Sequence, residues 1–311
     1  MRWSISDSKT FKRCQRQWYY KTIAGNAISK DAARRELYLL SKLQSISAWR
    51  GQLVDSVISE TVIPAVRQRR AITLETAKSV ARKMLLQQLA CAQRHELFSA
   101  GFSPAAMGNK FAALHCMEYG GSIAQSEVEI AKIEVEAALR NFFQLTEVKD
   151  LMKGAKYLVA QRALMFSAAG VTVRAVPDLI AFFPDRAPII FDWKVHVFGI
   201  DEAWLQLATY ALALTRCKPH KDFPIPHPTE ATEVELVEVQ LLTNKVRRYK
   251  PTEEELQRTE DHIAATATEM LLATGGKKAT DLSAEDFAVA RFGNTCQSCA
   301  FKKVCWERSV Q

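Results

Sequence analysis

Residues 173–210, VRAVPDLIAFFPDRAPIIFDWKVHVFGIDEAWLQLATY, hold two apolar runs that meet at a turn. The first, Val171 to Phe183, carries Pro177-Asp178 partway along; the second, Pro188 to Val195, is β-branched and aromatic and ends in Asp192-Trp193-Lys194. Pro184, Asp185, Arg186 and Pro188 supply the turn, so the pair is predicted to be a β-hairpin that brings Asp178 and Asp192 together. Side chains alternate faces along a strand, so Asp192 and Lys194 share one face and Trp193 points to the other.

Two carboxylates and an ammonium on one face of otherwise apolar strands need a partner, because unpaired charge is costly to bury. A divalent cation is one solution: oxygen donors from two Asp side chains, with backbone carbonyl and water completing the shell, suit Mg²⁺ or Mn²⁺. A lysine beside them can orient or help deprotonate an attacking water and offset charge on a pentacovalent phosphate. Each residue also has a plain reading. An Asp after Pro is commonly a turn residue, an Asp-x-Lys on a strand is commonly a solvated ion pair, and a Gln and a Tyr four apart on a helix are commonly packing and surface.

Taken in order, the residues resemble the signature of the PD-(D/E)xK nuclease superfamily. Pro177-Asp178 is followed a hairpin later by Asp192-Trp193-Lys194, and then by Gln206-Leu207-Ala208-Thr209-Tyr210, similar to the QxxxY motif of its RecB-like branch. Gln206 and Tyr210 lie on one face of a helix. The resemblance implies an α/β, restriction-endonuclease-like fold with a central mixed sheet flanked by helices and a large helical insertion before it. It implies a metal-dependent DNase, expected to be an exonuclease on single-stranded DNA or duplex ends. Asp178, Asp192 and the backbone carbonyl of Trp193 would hold Mg²⁺ or Mn²⁺, Lys194 would position water, and Gln206 and Tyr210 would organise the site. In related nucleases a Gly is followed four residues later by a metal-binding His; here Gly51 is followed by Asp55. Asp55 as a further oxygen ligand and Asp55 as an exposed helix residue both stay open. So does a second class of function, a nuclease-like DNA-holding subunit of a repair, recombination or CRISPR-adaptation assembly, with a helicase as a possible partner type. Gln161 stands nearest to where the family often has an acidic residue, and that role is not transferred to it.

Seven cysteines in a long chain without a secretion signal argue for free thiols or a metal site. Cys91, Cys116 and Cys217 are scattered, whereas Cys296, Cys299 and Cys305 form C-x2-C-x5-C. Near the N-terminus, Ser4 to Ile23 is predicted to be a short helix capped by Ser6 or Ser8 with Cys14 in its middle. This opening resembles RecB-like iron-sulfur nucleases, such as CRISPR-associated adaptation nucleases and AddB-type nuclease domains. The resemblance implies that Cys14, Cys296, Cys299 and Cys305 ligate a [4Fe-4S] cluster that staples the two ends together. Zinc in a tetrahedral four-cysteine site is the alternative for the C-terminal trio.

With 42 Lys and Arg against 34 Asp and Glu, the formal charge is +8, which fits a polyanionic partner. Lys12, Arg13 and Arg16 on the N-terminal helix are candidate DNA contacts. Arg34, Arg35, Arg67, Arg69, Arg70, Arg82 and Lys83 are either phosphate contacts or a solvated helical face. The expected organisation is 1–31, a basic helix with a cluster cysteine; 32–155, a helical region; 156–274, the nuclease core; and 275–311, the cysteine tail. Lys156 to Ser167 is predicted to be one strand, Ile200 to Thr215 the QxxxY helix, and Glu233 to Leu242 with Lys245 to Tyr249 a second hairpin; Thr252 is expected to cap a helix reaching about Thr274. No Walker-type glycine loop and no nucleophile paired with a base is present, and without an apolar leader a cytoplasmic protein is expected.

Overall fold

The computed structural model describes residues 1–195, 200–224, 230–291 and 293–307. His196, which the sequence places two residues past Lys194 at a surface strand end, and residues 225–229 of a loop that the prolines at 219, 224, 226 and 228 predict over 218–229 lie outside these. Strand β1 (Arg2–Trp3) leads into α1 (Ile5–Arg13). Its cap is Ser4 rather than Ser6 or Ser8: Ser4 Oγ accepts from the Asp7 amide at 3.1 Å and donates to Asp7 Oδ2 at 2.7 Å. A hydroxyl at this position satisfies an amide that helix geometry leaves orphaned. The expected single helix also breaks. Cys14 is extended, with φ −162°, and its Sγ caps α2 (Gln15–Tyr19) by accepting from the Gln17 amide at 3.4 Å.

The helical middle comprises α3 (Ala32–Leu40), α4 (Ile46–Val57), α5 (Ile63–Arg67), α6 (Leu74–Gln93), α7 (Pro104–Met107), α8 (His115–Gly120), α9 (Gln125–Gln144) and α10 (Thr146–Gly154). Then come β2 (Tyr157–Ala160), β3 (Leu164–Ala168), β4 (Val171–Ala175), β5 (Leu179–Phe182) and β6 (Ile189–Lys194). Helix α11 (Ile200–Arg216), β7 (Glu235–Gln240), β8 (Lys245–Tyr249) and α12 (Glu253–Thr274) follow, with α13 (Gly293–Gln297) and α14 (Lys302–Glu307) in the tail.

Two stretches expected to be continuous are each divided between sheets. Lys156 to Ser167 splits into β2 and β3 after Ala160, where Gln161 takes a left-handed φ of 50°. Val171 to Phe183 splits at Pro177, which has no amide to donate to a ladder. The result is a three-stranded sheet, β1-β4-β3, and a five-stranded mixed sheet, β2-β5-β6-β7-β8. The hairpin of β5 and β6 is antiparallel as expected, β6 runs parallel to β7, and β7–β8 is the second hairpin.

The five-stranded sheet lies between two apolar layers. Ile190 and Leu236 join a core with α11, α12 and the first helices, whereas Ile189, Phe191, Trp193, Val237 and Val239 join a core with α4, α6 and α9. Covered on both faces, β5 and β6 are buried along their whole lengths, which is why they are apolar runs rather than alternating ones. Among the described residues no helix is long and apolar enough to cross a membrane.

Candidate active site

The alternation of β6 decides the site. Its odd positions pack toward α9, where Trp193 meets Phe142 edge-on at 5.5 Å. Its polar even positions, Asp192 and Lys194, therefore turn toward α11. There Gln206 accepts from Lys194 Nζ at 3.1 Å and donates to Asp192 Oδ1 at 3.2 Å. Gln206 Nε2 also donates to the Tyr210 hydroxyl one turn along. Lys194 Nζ lies 2.5 Å from Asp192 Oδ2, and both side chains are nearly inaccessible. Asp178 joins across the hairpin, its Oδ2 accepting the Trp193 amide at 2.7 Å.

Helix α4 brings Asp55 from the other side, and the bridge is Gln161. Its Nε2 donates to Asp55 Oδ1 at 2.8 Å and to Asp178 Oδ1 at 3.1 Å. Asp55 is thus a member of the cluster and not a free helix residue. Gln161 follows directly from the end of β2, and its amide donates to the Asp178 carbonyl at 3.1 Å.

Electrostatics register this crowding. Burial and the charges of Asp192 and Glu60 push Asp55 up to about 6, against the pull of its hydrogen bond from Gln161. Burial, then Asp192 and Asp55, hold Asp178 well above the ordinary carboxylate range. Asp192 is raised by burial, with Lys194 opposing. Burial pulls Lys194 down, but the neighbouring carboxylates outweigh it and leave the ammonium favoured. Burial and the same carboxylates keep the Tyr210 phenol protonated.

Two further buried residues border the cluster. Glu238 on β7 stands in register with Asp192 and is fully buried, and Gln240 stands in register with Lys194. Glu238 accepts from Gln240 at 2.8 Å and from the Tyr249 hydroxyl at 3.3 Å, with Arg247 at 3.5 Å. Their sequence signal is slight: Glu238 and Gln240 alternate with Val237 and Val239, which reads equally well as a solvated face.

The expected N-terminal DNA contacts are engaged within the chain. Lys12 pairs with Glu269 at 2.5 Å, Arg13 donates to Gln17 at 3.1 Å, and Arg16 donates to the Phe287 carbonyl at 3.3 Å. None belongs to the hydrogen-bond network around Asp192. Arg82 is held by Glu136, Arg35 by the Phe102 carbonyl and Arg34 by the Ile23 carbonyl.

The four cysteines named from sequence come together at one place. Cys14, Cys296, Cys299 and Cys305 line a cavity of about 190 Å³, and all are free thiols. Burial pushes Cys299 up to about 11, and the other three cysteines add to the rise. Arg16 hydrogen-bonds Cys305 and opposes the upward push that burial gives its thiol. Among the described residues, no three His, Cys, Asp or Glu side chains stand close enough to clasp a metal ion as they are.

The donor chemistry nevertheless fits hard cations at one place and thiophilic metal at the other. Asp192 raises the protonation of both Asp55 and Asp178, and Asp55 adds to that of Asp178, within a largely buried cluster, a repulsion that a divalent cation relieves. Four thiols around an apolar cavity match soft metal or cluster ligation.

Residues 2–306 match the PD-(D/E)XK nuclease superfamily, so the chain belongs to that superfamily. Its members are nucleases that generally use Mg²⁺ or Mn²⁺. Among solved structures, a protein from Eubacterium rectale described as a "Putative exonuclease" is 11% identical, with a TM-score of 0.44, over 94% of this chain and 86% of the other. Another, SSO0001, is 15% identical with a TM-score of 0.27, over 57% of this chain and 75% of the other. No curated protein matches the chain significantly.

Proposed function

We propose that the protein is a metal-dependent DNA nuclease, hydrolysing phosphodiester bonds as an exonuclease on single strands or duplex ends. The observation that carries the reading is the convergence of Asp55, Asp178 and Asp192 on one lysine, with Gln161 and Gln206 fixing the carboxylates. Asp178, Asp192, the Trp193 carbonyl and Asp55 would hold Mg²⁺ or Mn²⁺. Bound there, the ion supplies Lewis-acid polarisation of the phosphate and a more acidic water. Lys194, anchored by Asp192 and Gln206, places positive charge where the phosphorane gathers negative charge. Gln206 and Tyr210 orient Asp192, and Gln161 orients Asp55 and Asp178 together, as oriented ligands need outer partners.

The cysteine cavity supports a [4Fe-4S] staple between the N-terminal helices and the tail, with zinc as its competitor. Cys14, Cys296, Cys299 and Cys305 would be the ligands, and the role is structural, joining segments that lie far apart in sequence.

The test is cleavage of end-labelled single-stranded DNA with Mg²⁺ or Mn²⁺ against EDTA, wild type beside Asp178→Ala. Metal-dependent products from wild type alone support the proposal; identical patterns in both proteins would remove it. A second reading, a DNA-holding subunit of a larger assembly, is favoured by one observation. The Trp193 amide and Lys194 already satisfy carboxylate oxygens of Asp178 and Asp192. Binding without metal-dependent products would select it.

A further inference from the structure

A concavity of about 1070 Å³ lies beside β2, the edge strand of the large sheet. Its lining carries Arg67, Arg69, Arg70, Lys153, Lys156 and Lys221 against one carboxylate, Asp222, which is itself paired with Arg162. Lys153 is shared with Asp150 at 3.7 Å, and Lys156 stands over the Tyr157 ring at 5.4 Å. Among the described residues Arg67, Arg69, Arg70 and Lys221 have no acidic partner, unlike Arg82 on the neighbouring helix.

The end of α5 presents these arginines together. Helix α5 stops at Arg67, and Arg69 then takes a left-handed φ of 53°, a conformation costing a non-glycine residue about 1 kcal/mol. That turn closes the helix, the Arg70 amide donating to the Ala65 carbonyl at 2.9 Å and the Arg69 amide to the Val66 carbonyl at 3.0 Å. It leaves Arg67, Arg69 and Arg70 side by side without neutralising them, a charge arrangement that suits a polyanion. The groove also exposes an aromatic face: Tyr157 is 42% accessible. A cationic groove and a solvent-accessible ring together are the usual means of holding a single strand, whose bases are free to stack.

One strand links the groove to the candidate site. Strand β2 runs from Tyr157 to Ala160 and is followed by Gln161, the donor to Asp55 and Asp178. At about 3.3 Å per residue, Tyr157 lies about 13 Å from Gln161, within a few nucleotides of the carboxylates. We propose that this groove holds the backbone of a single nucleic-acid strand whose end reaches the Asp178–Asp192 cluster. The proposal rests on the nuclease reading only for what happens at that end; the binding claim stands apart from it.

The experiment is fluorescence anisotropy of a labelled oligothymidylate in EDTA, between 50 and 200 mM salt. Wild type, the triple variant Arg67→Ala/Arg69→Ala/Arg70→Ala, and Tyr157→Ala are compared, with a blunt duplex as second probe. The triple variant should bind at least about tenfold more weakly, and its salt slope should fall by about 2, near 0.7 per lost contact. Tyr157→Ala should weaken the single strand about fivefold or more and spare the duplex. All the altered side chains are exposed, so unchanged melting temperatures verify the fold.

Wild-type affinity and slope in the triple variant would overturn the proposal, as would equal losses on both probes for Tyr157→Ala. Parallel assays with Mn²⁺ separate the two readings. Groove-dependent binding without products would retire the nuclease and keep the groove. Cleavage that survives, with unchanged binding, in the triple variant would do the reverse.

Discussion

Lys194 Nζ stands 2.5 Å from Asp192 Oδ2, a buried ion pair two residues apart on one strand face. The lysine therefore has two duties, charge at the phosphate and neutralisation of a carboxylate that is 1% exposed. Removing one member of a buried pair costs about 3–5 kcal/mol, because the other is left uncompensated. Lys194→Ala should abolish cleavage and also lower the melting temperature in EDTA. Scanning calorimetry with and without Mn²⁺ checks this, and the metal should restore part of the loss. A variant as stable as wild type in EDTA would show that Asp192 finds compensation elsewhere.

Asp55 gives the opposite sign. Its carboxyl is raised to about 6 by burial and neighbouring carboxylates, so ionising it opposes folding. The penalty is absent below about pH 4, where folded and unfolded chains are both protonated, grows as pH rises toward 6, and is constant above. Asp55→Asn should therefore raise stability in EDTA at pH 8 by about 1–2 kcal/mol, after allowance for solvent screening, and bring no gain near pH 4. The same variant should need more Mn²⁺ for half-maximal cleavage. Thermal melts at the two pH values and a metal titration check both halves.

How much of this was legible in the sequence follows from the range of each interaction. Asp178, Asp192 and Lys194 sit within one hairpin, so strand alternation was enough to gather them; helical spacing put Gln206 and Tyr210 on one face, and their place beside the carboxylates was implied by the resemblance. The five-stranded sheet hides its remaining partners. Nothing in sequence tells that β7 runs parallel beside β6, so Glu238 could not be placed next to Asp192. Splitting of Val171–Phe183 between two sheets was unreadable for a similar reason: an apolar run carries no mark of which sheet each half joins. Pro177 was the available clue. Local spacing marked Cys296, Cys299 and Cys305, whereas the grouping of Cys14 with them was implied by the resemblance alone, and Cys14 as a helix break depended on Gln17 finding its sulfur.

Gln161 was the residue passed over, and its geometry makes the next prediction. One amide nitrogen reaches both Asp55 and Asp178, from a backbone held at φ 50°. Gln161→Ala removes the donor without changing net charge, leaving Asp55 without that hydrogen bond and Asp178 held by the Trp193 amide. Loss of outer-shell orientation typically costs about 10–100-fold in metal affinity or activity, and that range is expected here. Gln161→Glu keeps the reach but adds a fourth negative charge, so it should be less stable than wild type in EDTA and gain more from Mn²⁺. Isothermal titration of Mn²⁺ into the three proteins orders them; equal affinities would remove Gln161 from the site.

The cysteine cavity makes the last prediction, in which the two ends of the chain act on one another. Cys14 holds α2 by its sulfur, Arg16 reaches both Phe287 and Cys305, and Tyr119 donates to the Ala300 carbonyl at 2.7 Å. Helices, tail and cavity thus share walls, and a ligand bridging the four thiols would lock all of them. Protein purified without oxygen should carry iron and sulfide with brown absorbance, and Cys14→Ser or Cys299→Ser should lose both. Zinc at one per chain in a colourless preparation would put zinc there instead. Neither metal, with unchanged melting temperature in Cys14→Ser, would mean that the thiols are held only by packing. Because the carboxylate cluster lies on other elements, the serine variants should still bind Mn²⁺, and retained cleavage at reduced thermal stability is the expected pattern for a staple.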